Sequence, residues 1–214
     1  MKKILLSIFI LTINIQSLIA LELKKYYQFP DNYFEGNYSE STKNFFIVTT
    51  INNKDPRFKD TVVIMAEHNP KGALGFVINK PIGFVKLGTL IKSSEKKNNK
   101  KKILNLKIPI FWGGPLDQNK IFVIHSTDYK NENTQKIKKV SLSSNHKILI
   151  DIADQKGPKN FIIVRGLSAW NKGQLDGEID KGMWNLSEID ENIVFERINK
   201  KKHNMATERS FIRL

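Results

Sequence analysis

Cysteine is absent from the 214 residues, which removes a disulfide scaffold, a thiolate nucleophile, a zinc ribbon and a cysteine-held iron–sulfur cluster. Arginine is rare beside lysine. Arginine is the residue whose planar fork reads phosphates and base edges, so sequence-specific nucleic acid binding is not expected. Histidine is sparse: His68, His125, His146 and His203 lie far apart, with no His-Glu-x-x-His spacing, and no metal or other cofactor is expected. No phosphate-cradling loop is present, because Gly72-Ala73-Leu74-Gly75 lacks both the spacing and the lysine of a P-loop. Past Leu21, no stretch approaches the roughly 20 apolar residues of a membrane-spanning helix. Acidic residues are outnumbered, 21 against 35 Lys and Arg, leaving a net charge of +14. Such a balance permits contact with nucleic acid, anionic lipid or acidic partners without selecting among them. What is present suffices for a core: 40% hydrophobic and 10% aromatic residues suit a single domain with a short appendage.

The chain opens Met1-Lys2-Lys3, continues from Ile4 to Ile15 with only Ser7, Thr12 and Asn14 polar, and reaches Ala20. A positive start, an apolar stretch of roughly 7–15 residues and a small residue at its end are the layout of an export signal. Residues 1–20 are therefore read as a signal-like leader, cut after Ala20 or retained as an anchor because Leu18 is large for the peptidase. The competing reading is a buried N-terminal helix. Residues 21–43 form an irregular leader, broken by Pro30, Asn32, Gly36 and Asn37.

From Asn44 the pattern changes to short β-branched and aromatic runs. Strands are expected at Phe45–Thr50, Thr61–Ala66, Ala73–Ile78, Ile108–Trp112, Ile121–His125 and Phe161–Val164, with a loop from Glu67 to Gly72. A short helix is expected from Phe84 to Ile91, followed by a charged loop from Ser93 to Lys102. Asn145 can cap a helix carrying Ile148, Leu149 and Ile152, and Gln174 to Lys181 is a helix with Leu175 and Ile179 on one face. An extended piece from Trp184 through Phe195 precedes a frayed basic tail, residues 199–214. Adjacent strands with occasional helices argue for α+β over regular βαβ winding.

Several segments together resemble the YqgE/AlgH family. They are Phe45 to Thr50 with Asp55-Pro56-Arg57-Phe58, Glu67-His68-Asn69, Gly72 to Pro81, Phe111-Trp112-Gly113-Gly114-Pro115 and Phe122-Val123-Ile124-His125-Ser126. Trp170 with Gly173-Gln174-Leu175, Glu178-Ile179 and Trp184 completes the series. The resemblance covers roughly residues 44–195. Where the family has Gly-Tyr-Ala-Gly-Trp, this chain has Gly166-Leu167-Ser168-Ala169-Trp170, and a basic tail stands in place of the family's C-terminal helix pattern. The resemblance implies an α+β fold with a branched, partly barrel-like mixed sheet wrapped by a few helices, a single domain here spanning 44–198. It implies a cytoplasmic location, against the leader, and little chemistry.

Glu67, His68 and His125 are the acid–base-capable candidates, since histidine titrates near neutrality and a carboxylate can orient it. Ser168 lies two after Gly166, as in a nucleophile elbow, but Trp170 occupies the second glycine position. Trp112 beside Gly113 and Gly114, and Trp170 beside Gln174, are candidate ligand contacts, with large rings next to backbone donors. The lysine clusters at 96–102, 136–139 and 200–202 are expected on loops and tail as a diffuse surface for anionic partners. The leading expectation is a non-enzymatic binding or interaction module of the bacterial envelope, with an unknown protein or small-molecule partner. One alternative is a cytosolic transcription-related regulator. The other is a hydrolase or transferase using Glu67 and His68, which requires a pocket joining them to Trp112 or Trp170.

Overall fold

Three apolar runs, the first two rich in β-branched residues, make adjacent antiparallel strands, β1 (Phe45–Thr49), β2 (Val62–Asn69) and β3 (Gly72–Val77), in a computed structural model that describes residues 41–91 and 101–211. The leader 1–20, the irregular segment as far as residue 40 and the lysine run 93–100 lie outside the described residues. The loop expected from Glu67 to Gly72 is instead mostly strand. β2 runs on to Asn69 and turns into β3 through Pro70 and Lys71, because Glu67 and His68, polar as they are, both find partners in place.

The helix expected from Phe84 is also overturned. Pro81–Lys86 forms β4, paired antiparallel with β5 (Lys107–Trp112), and only Leu87–Thr89 closes into a 3-10 turn. Cross-strand pairing such as Val85 with Ile108 outweighs the weak helical spacing. The short helix α1 (Lys101–Leu104) precedes β5. β6 (Leu116–Ser126) is longer than expected, and a hairpin of β7 (Thr134–Ile137) and β8 (Val140–Ser143) follows it, tightened by Lys138 at φ 51°. In α2 (Lys147–Ala153) the expected cap is present: Asn145 Oδ1 accepts the Lys147 N–H at 2.8 Å.

β9 (Phe161–Asn171) is the long strand around which the sheet branches. It pairs antiparallel with β6 and, toward its end, with β3, and it pairs parallel with β5. Then come α3 (Gln174–Asp180), β10 (Trp184–Glu188), α4 (Glu191–Val194), α5 (Asn199–Glu208) and β11 (Ser210–Phe211). The strand order is β11-β10-β1-β2-β3-β9-β6-β8-β7, with β5 and β4 branching from β9. The α+β fold with a branched, partly barrel-like mixed sheet is therefore observed.

Two C-terminal expectations are corrected. The extended piece stops at Glu188, because Asp190 accepts the Asn192 N–H at 2.9 Å and starts α4. Residues 199–211 of the tail are not frayed: α5 turns Lys202 and Ala206, four residues apart, into the core, and β11 pairs with β10. Lys202 Nζ donates to the Ile78 carbonyl at 2.9 Å and lies 4.7 Å from the Phe111 ring centre. The lysines at 136–139 likewise belong to a hairpin, where Lys138 pairs with Glu188 and lies over Phe45. Among the described residues, no helix is long and apolar enough to cross a membrane.

Candidate functional site

His68, Ala73 and Trp170 stand opposite one another across β2, β3 and β9, so their side chains share one face of the sheet. Helix α3 covers that face, with Leu175 and Ile179 entering a core of Ile47, Val63, Met65, Val77 and Leu186. The same helix carries Asp176 to His68. Asp176 Oδ2 lies 3.1 Å from His68 Nε2, and both side chains are only 1% exposed. On the other side of the ring, Nδ1 meets the Thr42 backbone N–H at 3.0 Å and Thr42 Oγ1 at 3.0 Å. A backbone N–H can only donate, so Nδ1 accepts and Nε2 carries the proton directed at Asp176. The aspartate–histidine–hydroxyl sequence resembles a catalytic triad in its contacts, but Thr42 is fully buried, so the hydroxyl faces no substrate.

Two residues further along α3, Glu178 gathers three donors. Its Oε2 accepts Trp170 Nε1–H at 2.9 Å and Trp184 Nε1–H at 2.7 Å, and its Oε1 accepts from Gln174 Nε2 at 2.9 Å. Gln174 is held in turn, because its Oε1 accepts the Asn171 N–H at 3.0 Å. The two indoles meet nearly edge-on with ring centres 6.0 Å apart, and Phe58 packs against Trp112, Trp170 and Trp184. Trp170 and Gln174 are thus brought together, and Trp112 joins the group through Phe58. The glutamate fixes both indole N–H groups at once. Glu178→Gln places an amide donor opposite the Gln174 amide, and urea unfolding followed by tryptophan fluorescence is expected to show a loss of about 1–3 kcal/mol. An unchanged midpoint would mean that the carboxylate is not what orders these rings.

The other expected site residues are dispersed. Glu67 points to the opposite face of β2 from His68, as neighbouring strand residues must, and its carboxylate takes Lys43 Nζ at 2.9 Å and Gln135 Nε2 at 2.7 Å. The orienting carboxylate of His68 is Asp176, not Glu67. His125 lies in β6, fully buried, with Nδ1 2.8 Å from the Ser126 carbonyl and Nε2 3.0 Å from Ser143 Oγ. Burial holds it below the ordinary histidine range, against the pull of the Ser126 carbonyl. Gly113 and Gly114 are not exposed donors. Both are buried where the sheet branches, and the Gly113 N–H already donates to the Arg165 carbonyl at 2.8 Å. Ser168 Oγ is buried too, donating to the Gly113 carbonyl at 3.3 Å.

A family model described as AlgH-like, of the DUF179 domain, matches residues 46–214. The chain belongs to the AlgH-like family. A UPF0301 protein of Marinomonas sp. (strain MWYL1) is 33% identical over 175 residues, covering 78% of this chain and 88% of that one. A UPF0301 protein of Rickettsia prowazekii (strain Madrid E) is 34% identical over 149 residues, covering 69% of this chain and 77% of that one. The solution structure of the AlgH protein from Pseudomonas aeruginosa superposes with a TM-score of 0.65 at 26% identity, covering 86% of this chain and 92% of that one.

Within this AlgH-like fold, sequence reasoning passed over Thr42, Phe58, Asp176, Glu178 and Trp184 as site residues. The available signal was on α3, where Asp176 and Glu178 lie between Leu175 and Ile179 on a short helix that has to be largely buried. Two shallow hollows exist elsewhere. One of about 430 Å³ is lined by Asn160, Glu191, Asn192, Phe195, Arg197 and others, and one of about 410 Å³ by Ile103, Leu106, Ile152, Pro158, Phe161 and others. Neither includes a residue expected from the sequence. Among the described residues, no three His, Asp or Glu side chains stand together as a metal site.

Proposed function

We propose that the chain is a non-enzymatic binding or interaction protein of the bacterial envelope. The observation that carries this reading is that its best acid–base pair is spent inside the fold. His68 and Asp176 are sealed beneath α3, with Thr42 closing the remaining ring nitrogen. Glu67, the partner that a hydrolase or transferase reading requires, faces the other side of β2 and is held by Lys43 and Gln135. General acid–base work needs a titrating group within reach of substrate, and burial on this scale denies that reach. The envelope address is supported by the Met1–Ala20 segment alone.

Cell fractionation with sequencing of the mature N-terminus tests the address. The expected result is a chain starting near Leu21, or an intact one in the membrane fraction. An intact Met1 in the cytosol overturns the address and favours a cytosolic regulator. The absence of catalysis is tested by Glu67→Gln, which keeps an oxygen for Lys43 and is expected to complement a deletion strain as the wild type does. A folded Glu67→Gln protein that fails to complement would return Glu67 to the chemistry.

A further inference from the structure

We propose that the open edge of β4 takes up an extended, acidic and apolar segment of a partner protein as an added strand. This deepens the binding reading above and rests on it. β4 pairs with β5 alone, and among the described residues nothing pairs with its other edge. The strand is exposed at Pro81, Ile82, Gly83, Phe84 and Lys86. Phe84 is 74% and Ile82 50% exposed, which sets two large apolar side chains in water on an unpaired edge, between Pro81, a bulge at Pro81–Gly83 and Lys86. Native sheets ordinarily cover, shorten or charge such edges, and a contiguous apolar edge left open marks a contact surface.

The backbone is arranged to receive a strand. Leu87 N–H donates to the Leu106 carbonyl at 3.0 Å, continuing the register in which Lys86 faces Lys107, Val85 faces Ile108 and Phe84 faces Pro109. Bonded and unbonded pairs alternate in an antiparallel ladder, so Val85 bonds to β5, while the N–H and C=O of Phe84 and the N–H of Lys86 point away into the open edge; the Lys86 C=O already accepts the Thr89 hydroxyl at 2.7 Å. Pro109, which has no N–H, falls at an unbonded pair as that alternation requires. Two donors and one acceptor in line are then available to an incoming strand.

Charge selects the occupant. Lys80 precedes β4, Lys86 ends it and Lys107 stands opposite Lys86 on β5, and the described residues from Asn69 to Leu116 contain no aspartate or glutamate. None of these three lysines takes part in an ion pair of the described residues. A second copy of this chain would bring the same lysines and a further +14 to the contact, which like-charge repulsion disfavours. An acidic segment with apolar residues at alternate positions satisfies both the lysines and the Ile82 and Phe84 side chains.

The experiment uses the full chain and a fluorescein-labelled heptapeptide alternating glutamate with valine or phenylalanine, beside a control peptide in which lysines replace the glutamates. Binding of the acidic peptide alone is expected, with slower amide hydrogen exchange at Phe84 and Lys86. Lys86→Pro and Lys86→Gln remove the same charge, but only proline also removes the outward N–H. The Lys86 φ of −72° already suits a proline ring, so β4 stays intact. Lys86→Pro is expected to bind about tenfold more weakly than Lys86→Gln. Phe84→Ser, which leaves the backbone untouched, is expected to weaken binding as well. Equal affinities for the two Lys86 variants, exchange protection elsewhere, or a concentration-dependent dimer abolished by Phe84→Ser would each overturn the proposal. A peptide that does not bind β4 while Glu67→Gln still complements removes this surface only; failure of Glu67→Gln to complement removes the underlying reading instead.

Discussion

Gly114→Ala is expected to abolish folding. At φ +149° the residue occupies backbone space that side chains rarely enter, and an added Cβ would stand 2.2 Å from the Leu167 carbonyl carbon and 2.3 Å from both Leu167 O and Ser168 N. All three are backbone atoms of β9, the strand that holds β3, β5 and β6 together, so relief would require the branch itself to open. Gly113 is equally confined, since its Cβ would meet the Gly166 carbonyl oxygen at 2.2 Å. Overpacking against rigid backbone belongs to the exceptional class of substitutions that cost more than about 4 kcal/mol. Typical domain stability is about 5–15 kcal/mol, so a loss on this scale empties the native state or nearly so. Circular dichroism and soluble yield read the outcome. A soluble Gly114→Ala protein with a wild-type unfolding midpoint would show that the branch point is loose.

Lys202→Met is expected to change how stability depends on pH. Burial pushes the Lys202 ammonium down to about 8, with Glu196 pulling the other way, whereas in the unfolded chain the group titrates near the ordinary lysine value of 10.5. Because the folded value is the lower, the cost of holding the charge inside is fully present below pH 8. Between pH 8 and 10.5 the unfolded chain binds the proton and the folded one does not, so wild-type stability gains with rising pH from this group. The gain amounts to about 3 kcal/mol. Methionine has no charge to desolvate, so the stability difference between Lys202→Met and wild type should shift by about 3 kcal/mol in favour of the wild type from pH 7 to 10.5. Urea unfolding of both proteins at several pH values isolates Lys202, since the other lysines cancel in the difference. A difference that stays flat across that range would mean that water reaches the ammonium.

Much of the architecture was legible because it depends on short-range pattern. The β-branched runs of β1 and β9 and the paired apolar positions of α2 and α3 declare their elements locally. The failures share one cause. Glu67 and His68 look like loop residues until Lys43, Gln135, Thr42 and Asp176 arrive to satisfy them, and Phe84 looks helical until β5 pairs alongside. Lys202 reads as a solvated tail residue, yet a carbonyl more than a hundred positions earlier accepts its proton.

The candidate site divides in the same way. Trp170 and Gln174 stand out in the chain as large or amphipathic residues near a glycine, and their involvement was expected. That Glu178 would collect both indole N–H groups could not be expected, because Trp170 and Trp184 reach it from different strands. The amino-acid order alone settled composition, charge, the export-like start, the absence of thiol chemistry and the alternation that builds strands, since each is a property of single residues or near neighbours. Only the folded arrangement decided which carboxylate meets which histidine, which lysine is buried and which strand edge stays open. Those outcomes depend on desolvation and pairing between residues far apart along the chain, and the free energy of such a contact exists only once the sheet has brought both partners together.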